Sequence, residues 1–225
     1  MIKHILIDLD NTIIDFNECA RHAMIEGFKK FGAEYTEEAF PTFLRENNKL
    51  WAAHERGEID RAYIRANRWN IIFKKLGIVC DGPAMETFFE DYIAHSAYPV
   101  EYAYELLDYL KDKYNLYIVS NGFRAVQQSR MKKGDLNKYF KGVFVSEDAG
   151  APKPSKEFFD YCFEKLGNVS VDECMLIGDS LTADILGGND YGIKTVWFDR
   201  TGEIPDGSKT PTYTVKKLIE IKKIL

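Results

Sequence analysis

The feature that most constrains this chain is a short apolar run that ends in alternating carboxylates. His4–Ile7 (HILI) has the length of a buried strand in a parallel sheet. Asp8 follows directly, Asp10 comes two residues later, and Thr12 two residues after that. Residues two apart in an extended chain point the same way, so the spacing could aim these side chains into one volume beyond the strand. Because close carboxylates repel, the pattern indicates either a shared proton or cation, or a plain strand cap and turn.

Composition narrows the class of protein without choosing its function. With 225 residues, the chain is long enough for one large domain or for a domain with a sizeable insertion. A net charge of −5 with interspersed signs indicates neither a nucleic-acid polymer nor a membrane as partner. No apolar stretch approaches the ~20 residues of a membrane span, and the first residues lack a signal-peptide pattern. Four widely spaced cysteines are typical of reduced thiols, so we expect a cytoplasmic protein.

Residues 16–96 carry helical patterning with no strand signal. Apolar side chains recur every three or four residues, and glycines stand where these helices should end. Four helices with short links are typical of a small bundle, whose aromatic residues belong mainly to its core. We expect Arg56 and Arg68 on solvated faces of this bundle. The pattern predicts a helical domain inserted between residues 1–15 and residues 97–225.

From residue 98 onward the pattern alternates between helix and strand. The predicted strands after the first are 116–119, 143–145, 174–177, 195–198 and a short edge strand at 212–215. The predicted helices are 101–111, 124–133, 156–166, 184–191 and a last helix that ends at Leu225. This alternation predicts an α/β fold, a doubly wound parallel sheet with helices on both faces. In such a fold, ligands bind outside the carboxyl ends of the strands, near the switch in strand order.

Polar residues stand at those predicted strand ends. They are Asp8, Asp10 and Thr12 after the first strand, Ser120, Asn121 and Gly122 after the second, Lys153 after the third, and Asp179 with Asp184 after the fourth. Carboxylate oxygens suit Mg²⁺, whereas a hydroxyl, a lysine and backbone N–H groups suit a phosphoryl group. The chain has no GxxxxGK[ST] motif, which excludes a P-loop protein.

Four motifs in this order resemble the haloacid dehalogenase (HAD) superfamily of phosphotransferases. They are Asp8-Leu9-Asp10-Asn11-Thr12, Ser120-Asn121-Gly122, Lys153-Pro154 and Gly178-Asp179-Ser180 followed by Asp184. The resemblance implies a Rossmann-like core with the helical insertion as a cap domain. Three longer stretches are similar to the house-cleaning pyrimidine 5′-nucleotidase branch of that superfamily: 121–130, which includes Gln127, Gln128 and Arg130, then 153–161, and 178–188.

The resemblance also implies roles for individual residues. Asp8 would be a nucleophile that forms an aspartyl-phosphate, and Asp10 would act first as general acid and then as general base. Mg²⁺ would be held by Asp8, the carbonyl of Asp10 and Asp179, with Asp184 in or just behind this set. The other implied site residues contact the substrate: Ser120 and Lys153 on the transferring oxygens, Asn121 through its backbone or amide, Thr12 and Gly122 nearby, and Asn48 and Trp51 from the cap.

The expected function is therefore a Mg²⁺-dependent phosphomonoesterase acting on a small phosphate ester, chiefly a pyrimidine nucleoside 5′-monophosphate. Phosphoglycolate, a sugar phosphate, or a phosphomutase reaction on the same site remain alternatives. A 2-haloacid dehalogenase would need neither a second acid at Asp10 nor a metal site at Asp179 and Asp184. A non-catalytic binding module is the alternative from another class. The sequence does not distinguish a monomer from a homodimer.

Overall fold

The computed structural model describes residues 1–225 and divides the chain into two compact units. One unit combines Met1–Phe16 with Ala97–Leu225, and is called here the core unit. The other is Asn17–Ser96, called here the helical unit. The helical unit is inserted in sequence between the first strand and the remainder of the sheet.

The core unit is built on a six-stranded parallel sheet, as the alternation predicts. The strands are β1 (His4–Ile7), β2 (Asn115–Ser120), β3 (Gly142–Val145), β4 (Cys174–Gly178), β5 (Lys194–Phe198) and β6 (Tyr213–Val215). Their order is β3-β2-β1-β4-β5-β6, and every neighbouring pair is parallel. The strand order therefore reverses at β1, which is the switch point where this architecture binds ligands.

Nine α-helices accompany the sheet and form the helical unit. In chain order they are α1 (Phe16–Lys30), α2 (Ala39–Glu55), α3 (Arg61–Leu76), α4 (Gly82–Ala94), α5 (Ala103–Leu110), α6 (Arg124–Lys133), α7 (Ser146–Ala149), α8 (Lys156–Leu166) and α9 (Gly187–Tyr191). None of these helices is both long enough and apolar enough to cross a membrane.

The two central strands of the sheet are buried on both faces. Alternate residues of a strand point to opposite faces, yet Ile5, Leu6 and Ile7 of β1 are all fully buried, and β4 is buried throughout. One face packs against α8 in an apolar cluster. Its members are Leu6, Val119, Phe144, Phe158, Phe159, Cys162, Cys174, Leu176 and Ile193. This burial explains why β1 and β4 are continuous apolar runs in the sequence, and it holds their carboxyl ends in place.

Local capping explains the start and end of the helices in the helical unit. The carboxylate of Asp60 accepts the backbone N–H of Tyr63 at 2.7 Å, and α3 ends at Gly77 with φ of +69°. Likewise, Asp81 accepts the N–H of Ala84 at 2.9 Å at the start of α4. Asx caps and left-handed glycines are visible in sequence, so the four-helix pattern is predicted with small errors in its bounds.

The core of the helical unit is aromatic. Its buried rings are Phe28, Phe40, Phe43, Trp69, Phe73 and Phe89. Helices α1 and α4 approach closely at Gly27, where an added Cβ would lie 2.6 Å from the Met85 sulfur. Tyr63 lies outside this core and is 46% exposed.

Arg68 corrects a sequence prediction. It was expected on a solvated face, but it is buried on α3 and forms a bidentate ion pair with Glu86 of α4. Its guanidinium also donates to the Asn47 side chain at 3.2 Å and lies 4.7 Å from the ring centre of Phe89. Arg56 is exposed as expected and pairs with Glu58.

Three elements of the core unit differ from the sequence prediction. The short helix α7 after β3 was not predicted, the helix expected over 184–191 begins as a π-helix at Leu181–Leu186, and the last helix is a 3₁₀ helix at Leu218–Lys223. In that last segment, the Glu220 carboxylate accepts the N–H groups of Lys216 at 2.8 Å and Lys217 at 3.1 Å. Such a local cap satisfies backbone donors within one turn, which the apolar spacing does not reveal.

Candidate active site

The backbone after β1 turns sharply and leaves two carboxylates at the edge of the sheet. The N–H of Asp8 donates to the Ile177 carbonyl at 2.9 Å, which continues the pairing of β1 with β4 by one residue. The Leu9 carbonyl then accepts the N–H of Ile14 at 2.9 Å. Asn11, in the turn, has φ of +59°, a left-handed conformation that asparagine tolerates better than most residues.

Three carboxylates from two neighbouring strand ends meet at this edge. Asp8, Asp179 and Asp184 each offer a carboxylate oxygen, and these oxygens lie within 4.8 Å of one another. The ammonium of Lys153 joins two of them, at 2.7 Å from Asp8 Oδ1 and 2.6 Å from Asp184 Oδ1. Its third contact is the Val119 carbonyl at 3.0 Å, so all three N–H donors of this buried lysine have acceptors.

The charge at this edge is unbalanced, because three carboxylates share one ammonium. Burial raises the pKa of Asp8 well above its ordinary value, Lys153 opposes this shift, and the neighbouring carboxylates add to it. Burial, followed by the charge of Asp184, raises the pKa of Asp179 to about 7. Burial alone lowers the pKa of Lys153, but Asp184 and Asp8 outweigh it and the net direction is upward. The donor set therefore fits a hard divalent cation, which relieves the repulsion between carboxylates.

The β4 end is shaped around the carboxylate of Asp184. A Cβ added to Gly178 would lie 2.2 Å from Asp184 Oδ2, so glycine is needed where this carboxylate packs against the end of β4. The same oxygen accepts the N–H of Ser180 at 3.1 Å. Thr12 is fully buried, and its hydroxyl donates to Asp179 at 3.5 Å. Thr12 therefore supports a carboxylate of the cluster, and its predicted contact with a substrate stays a prediction.

Asp10 has a different set of partners. Its Oδ2 accepts from the Gln127 side chain at 2.6 Å, and its Oδ1 accepts from the buried guanidinium of Arg130. The same Gln127 nitrogen donates to Ser120 Oγ at 2.8 Å. Helix α6 therefore connects Asp10 with the hydroxyl at the end of β2.

Two residues of the β2 loop bind neighbouring groups of the site. The Asn121 side chain pairs with the backbone of Lys153, accepting its N–H at 2.8 Å and donating to its carbonyl at 3.0 Å. Its amide thus positions Lys153, and the contact of Asn121 with a substrate stays a prediction. The Gly122 N–H donates to Ser120 Oγ at 3.0 Å, so it too supports a neighbouring group. Its predicted place near the substrate stays a prediction.

Asn48 and Trp51 lie on α2, in the helical unit. They are three residues apart and therefore share a side of the helix. Asn48 is exposed and Trp51 is half-buried. The Trp51 ring lies edge-on to His54, with ring centres 5.7 Å apart. Their contact with a substrate stays a prediction.

The sequence did not assign a role to three residues that the structure connects to this edge. In the sequence, Gln127 and Arg130 contribute only to the resemblance, although two polar residues three apart on the inner side of a helix are a detectable signal. Arg200 follows β5 and binds the turn after β1, with contacts to the Asn11 carbonyl at 3.1 Å and to Asp15 at 2.7 Å. Its loop position carries no signal of that contact.

The fold and the site together define a class of α/β proteins with a parallel sheet and an aspartate at the end of a central strand. The family model described as haloacid dehalogenase-like hydrolase matches residues 2–192. The chain belongs to this family.

Individual relatives match nearly the full length of the chain. YfnB of Bacillus subtilis is 34% identical, covering 99% of this chain and 95% of YfnB. A crystal structure of YfnB bound to magnesium has a TM-score of 0.93 at 33% identity, covering 100% of this chain and 98% of that one. Two similar proteins are pyrimidine 5′-nucleotidases. PynA of Streptococcus pneumoniae is 31% identical over 95% of this chain and 90% of its own, and YjjG of Escherichia coli is 30% identical over 98% and 96%.

Proposed function

We propose that this protein is a Mg²⁺-dependent phosphomonoesterase whose preferred substrate is a pyrimidine nucleoside 5′-monophosphate. One observation carries the proposed chemistry. The Asp8 carboxylate is bound by Lys153 and lies beside Asp179 and Asp184, whereas the Asp10 carboxylate is bound by other residues. Two carboxylates in such different surroundings suit two different tasks, nucleophile and acid–base group. The two nucleotidase relatives support the substrate class.

The proposed reaction has two half-reactions. An Asp8 carboxylate oxygen attacks phosphorus, the bond from phosphorus to the ester oxygen breaks, and Asp10 donates a proton to the departing oxygen. The alcohol then leaves and Asp8 carries the phosphoryl group. In the second half, Asp10 takes a proton from water as the water oxygen attacks phosphorus. The bond to Asp8 breaks, and inorganic phosphate is released.

The remaining residues of the core unit bind and orient. Lys153 holds the Asp8 carboxylate by a charge-assisted hydrogen bond and so limits the directions from which it can attack. Ser120 donates to an oxygen of the transferring group. Asp8, Asp179 and Asp184, together with the Asp10 carbonyl, would hold Mg²⁺. Bound there, the cation supplies charge neutralisation that lets an anionic nucleophile approach an anionic ester.

A dehalogenase would leave parts of this site without a role. Halide departure needs no proton, so a dehalogenase would have no use for an acid at Asp10 or for a metal at Asp179 and Asp184. A phosphomutase would share the first half-reaction but return the phosphoryl group to a sugar in the second. We propose transfer to water, in line with the hydrolase family to which the chain belongs.

We propose that residues 16–96 act as the cap that selects the substrate. The core site has groups for a phosphoryl group and a cation, so discrimination between esters must come from elsewhere in the chain. The helical unit offers Trp51 and Asn48, an aromatic ring and an amide on one side of α2. Stacking a ring on a base is worth roughly 1–3 kcal/mol, and the amide could bind a base edge.

The test is phosphate release from a panel of esters with Mg²⁺ present. The panel contains pyrimidine and purine nucleoside 5′-monophosphates, phosphoglycolate, sugar phosphates and p-nitrophenyl phosphate. We expect a pyrimidine nucleotide to have the highest kcat/KM, and release to stop in excess chelator. Ca²⁺ should support little turnover, because its looser coordination spoils the in-line geometry. If phosphoglycolate or a sugar phosphate exceeds every nucleotide by about tenfold, the nucleotidase proposal is wrong. Full phosphate release in excess chelator would overturn the proposed Mg²⁺ dependence.

Trp51→Ala tests the cap within the same panel. Loss of stacking should lower nucleotide kcat/KM about ten- to hundredfold while p-nitrophenyl phosphate turnover changes little. Tyr63→Ala is the matched control, since Tyr63 is an exposed aromatic of the same unit with no proposed role. Equal losses on both esters would mean that Trp51 only packs within the helical unit.

A further inference from the structure

Both oxygens of the Asp10 carboxylate are held by one helix. Gln127 binds one oxygen at 2.6 Å and Arg130 binds the other, and both residues are 1% exposed. The Asp10 side chain itself is 30% exposed. A partly open carboxylate with two buried, directional donors behind it is fixed in orientation, because each donor restricts one oxygen.

The hydrogen bonds also determine which way the Gln127 amide faces. Its Oε1 accepts from Arg130 at 3.1 Å, so its NH₂ group faces Asp10 and Ser120. The reversed amide would place a carbonyl oxygen against the Asp10 carboxylate and an NH₂ group against a guanidinium, and both contacts would be repulsive. Gly122 is needed beside this amide, since an added Cβ would lie 2.2 Å from its nitrogen.

The same amide constrains the hydroxyl of Ser120. A hydroxyl has one donor hydrogen and two acceptor lone pairs. Ser120 Oγ accepts from Gln127 at 2.8 Å and from the Gly122 N–H at 3.0 Å, so both lone pairs are used. Its remaining hydrogen can only be donated, which suits an anionic oxygen as its partner.

We propose that Gln127, supported by Arg130, is a positioning residue that aims Asp10 at the leaving group and commits Ser120 to donate to the transferring group. This inference rests on the phosphatase function proposed above. The single NH₂ group of Gln127 thereby links the acid–base residue to a phosphate contact. Arg130 acts on Asp10 and on the orientation of the Gln127 amide.

The experiment compares two esters that differ in their need for an acid. An alkyl ester such as the best nucleoside 5′-monophosphate has a poor leaving group, whereas 2,4-dinitrophenyl phosphate leaves without a proton. Gln127→Ala and Arg130→Met should lower kcat/KM for the nucleotide by up to about 100-fold. The loss on the dinitrophenyl ester should be at least about tenfold smaller for each variant. Gln127→Ala should also raise KM for both esters, because the Ser120 hydroxyl then loses the contact that commits its hydrogen to the phosphoryl group.

Controls separate positioning from folding. Gln128→Ala is the matched control, since Gln128 is the exposed neighbour on α6 and should behave as wild type. Thermal unfolding checks each variant, and Arg130→Lys replaces Arg130→Met if the latter does not fold. On an Asp10→Asn background, Gln127→Ala should cause no further loss that is specific to the nucleotide, because residues acting as a unit are not additive.

The outcomes distinguish this inference from the proposed function. Equal losses on both esters, or no loss, would overturn the positioning role while leaving the phosphatase intact. If the wild-type protein with Mg²⁺ hydrolyses neither ester, the phosphatase function and the positioning role both fall.

Discussion

At the scale of single residues, Asp8 and Asp10 show how two carboxylates two positions apart acquire different properties. Asp8 is buried, contacts Lys153 at 2.7 Å and has a raised pKa, mainly because of that burial. Asp10 is partly exposed and is held by Gln127 and Arg130. Their partners come from different parts of the chain, so substitutions at the two positions should impair the reaction in different ways.

Replacing each carboxylate by its amide tests this difference. Asp8→Asn removes the nucleophile and should abolish both turnover and covalent phosphate, which mass spectrometry of the quenched protein can detect. Asp10→Asn keeps the backbone carbonyl but cannot donate or accept the proton, at a cost on the order of 10²–10⁴ in rate. Near wild-type turnover by Asp8→Asn would contradict the mechanism.

At the scale of elements, helices α3 and α4 are joined by two ion pairs of unequal burial. Arg68 and Glu86 have side chains only 5% and 7% exposed, whereas Arg65 and Glu90 are 48% and 24% exposed. Burial raises the pKa of Glu86 even though Arg68 opposes this shift. Breaking the buried pair is therefore costly, because removing one partner leaves the other charge buried with neither a counter-charge nor water around it.

Single substitutions on α3 should separate the two pairs. Arg68→Met should lower the free energy of unfolding by about 3–5 kcal/mol, as expected for an uncompensated buried charge. Arg65→Met, the matched control on the same helix, should cost no more than about 1 kcal/mol. Urea unfolding followed by circular dichroism measures both. Adding Glu86→Leu to Arg68→Met should recover much of the loss, and equal effects of the two single variants would refute the argument.

At the scale of the whole molecule, the net charge is only −5, yet three carboxylates lie close together at one edge of the sheet. Asp179 has a pKa of about 7 there, above its ordinary value near 4. Without metal, the folded chain holds more protons than the unfolded chain between those values. Stability must then fall as pH rises through this window, the reverse of the usual behaviour of a paired carboxylate.

Unfolding measured in the presence of a chelator tests whether stability falls as pH rises. The free energy of unfolding of the wild-type protein, relative to Asp179→Asn, should decrease between about pH 4 and pH 7. Mg²⁺ should raise the midpoint of thermal unfolding, and more at the higher pH, since its ligands must be deprotonated. If the stability of the wild-type protein changes with pH in the same way as that of Asp179→Asn, with and without Mg²⁺, then Asp179 neither titrates in this range nor binds the cation.

The sequence by itself determined the sheet, the helical insertion and which residues stand at the strand ends. Strands buried on both faces must be continuous apolar runs, and helices must repeat every three to four residues, so both patterns are readable one segment at a time. Parallel strands carry their ends to one edge. That rule is enough to bring Asp8, Lys153, Asp179 and Asp184 together before any contact is known.

Tertiary structure alone decided what each polar group binds. The Asn121 amide on the Lys153 backbone, the Gln127 and Arg130 donors on Asp10, and the pairing of Arg68 with Glu86 join residues 18 to 120 positions apart. An Asn, Gln or Arg has several donors or acceptors and many rotamers, and its partner is set by which groups packing leaves buried and unsatisfied beside it. That depends on the juxtaposition of distant segments, which no local pattern encodes.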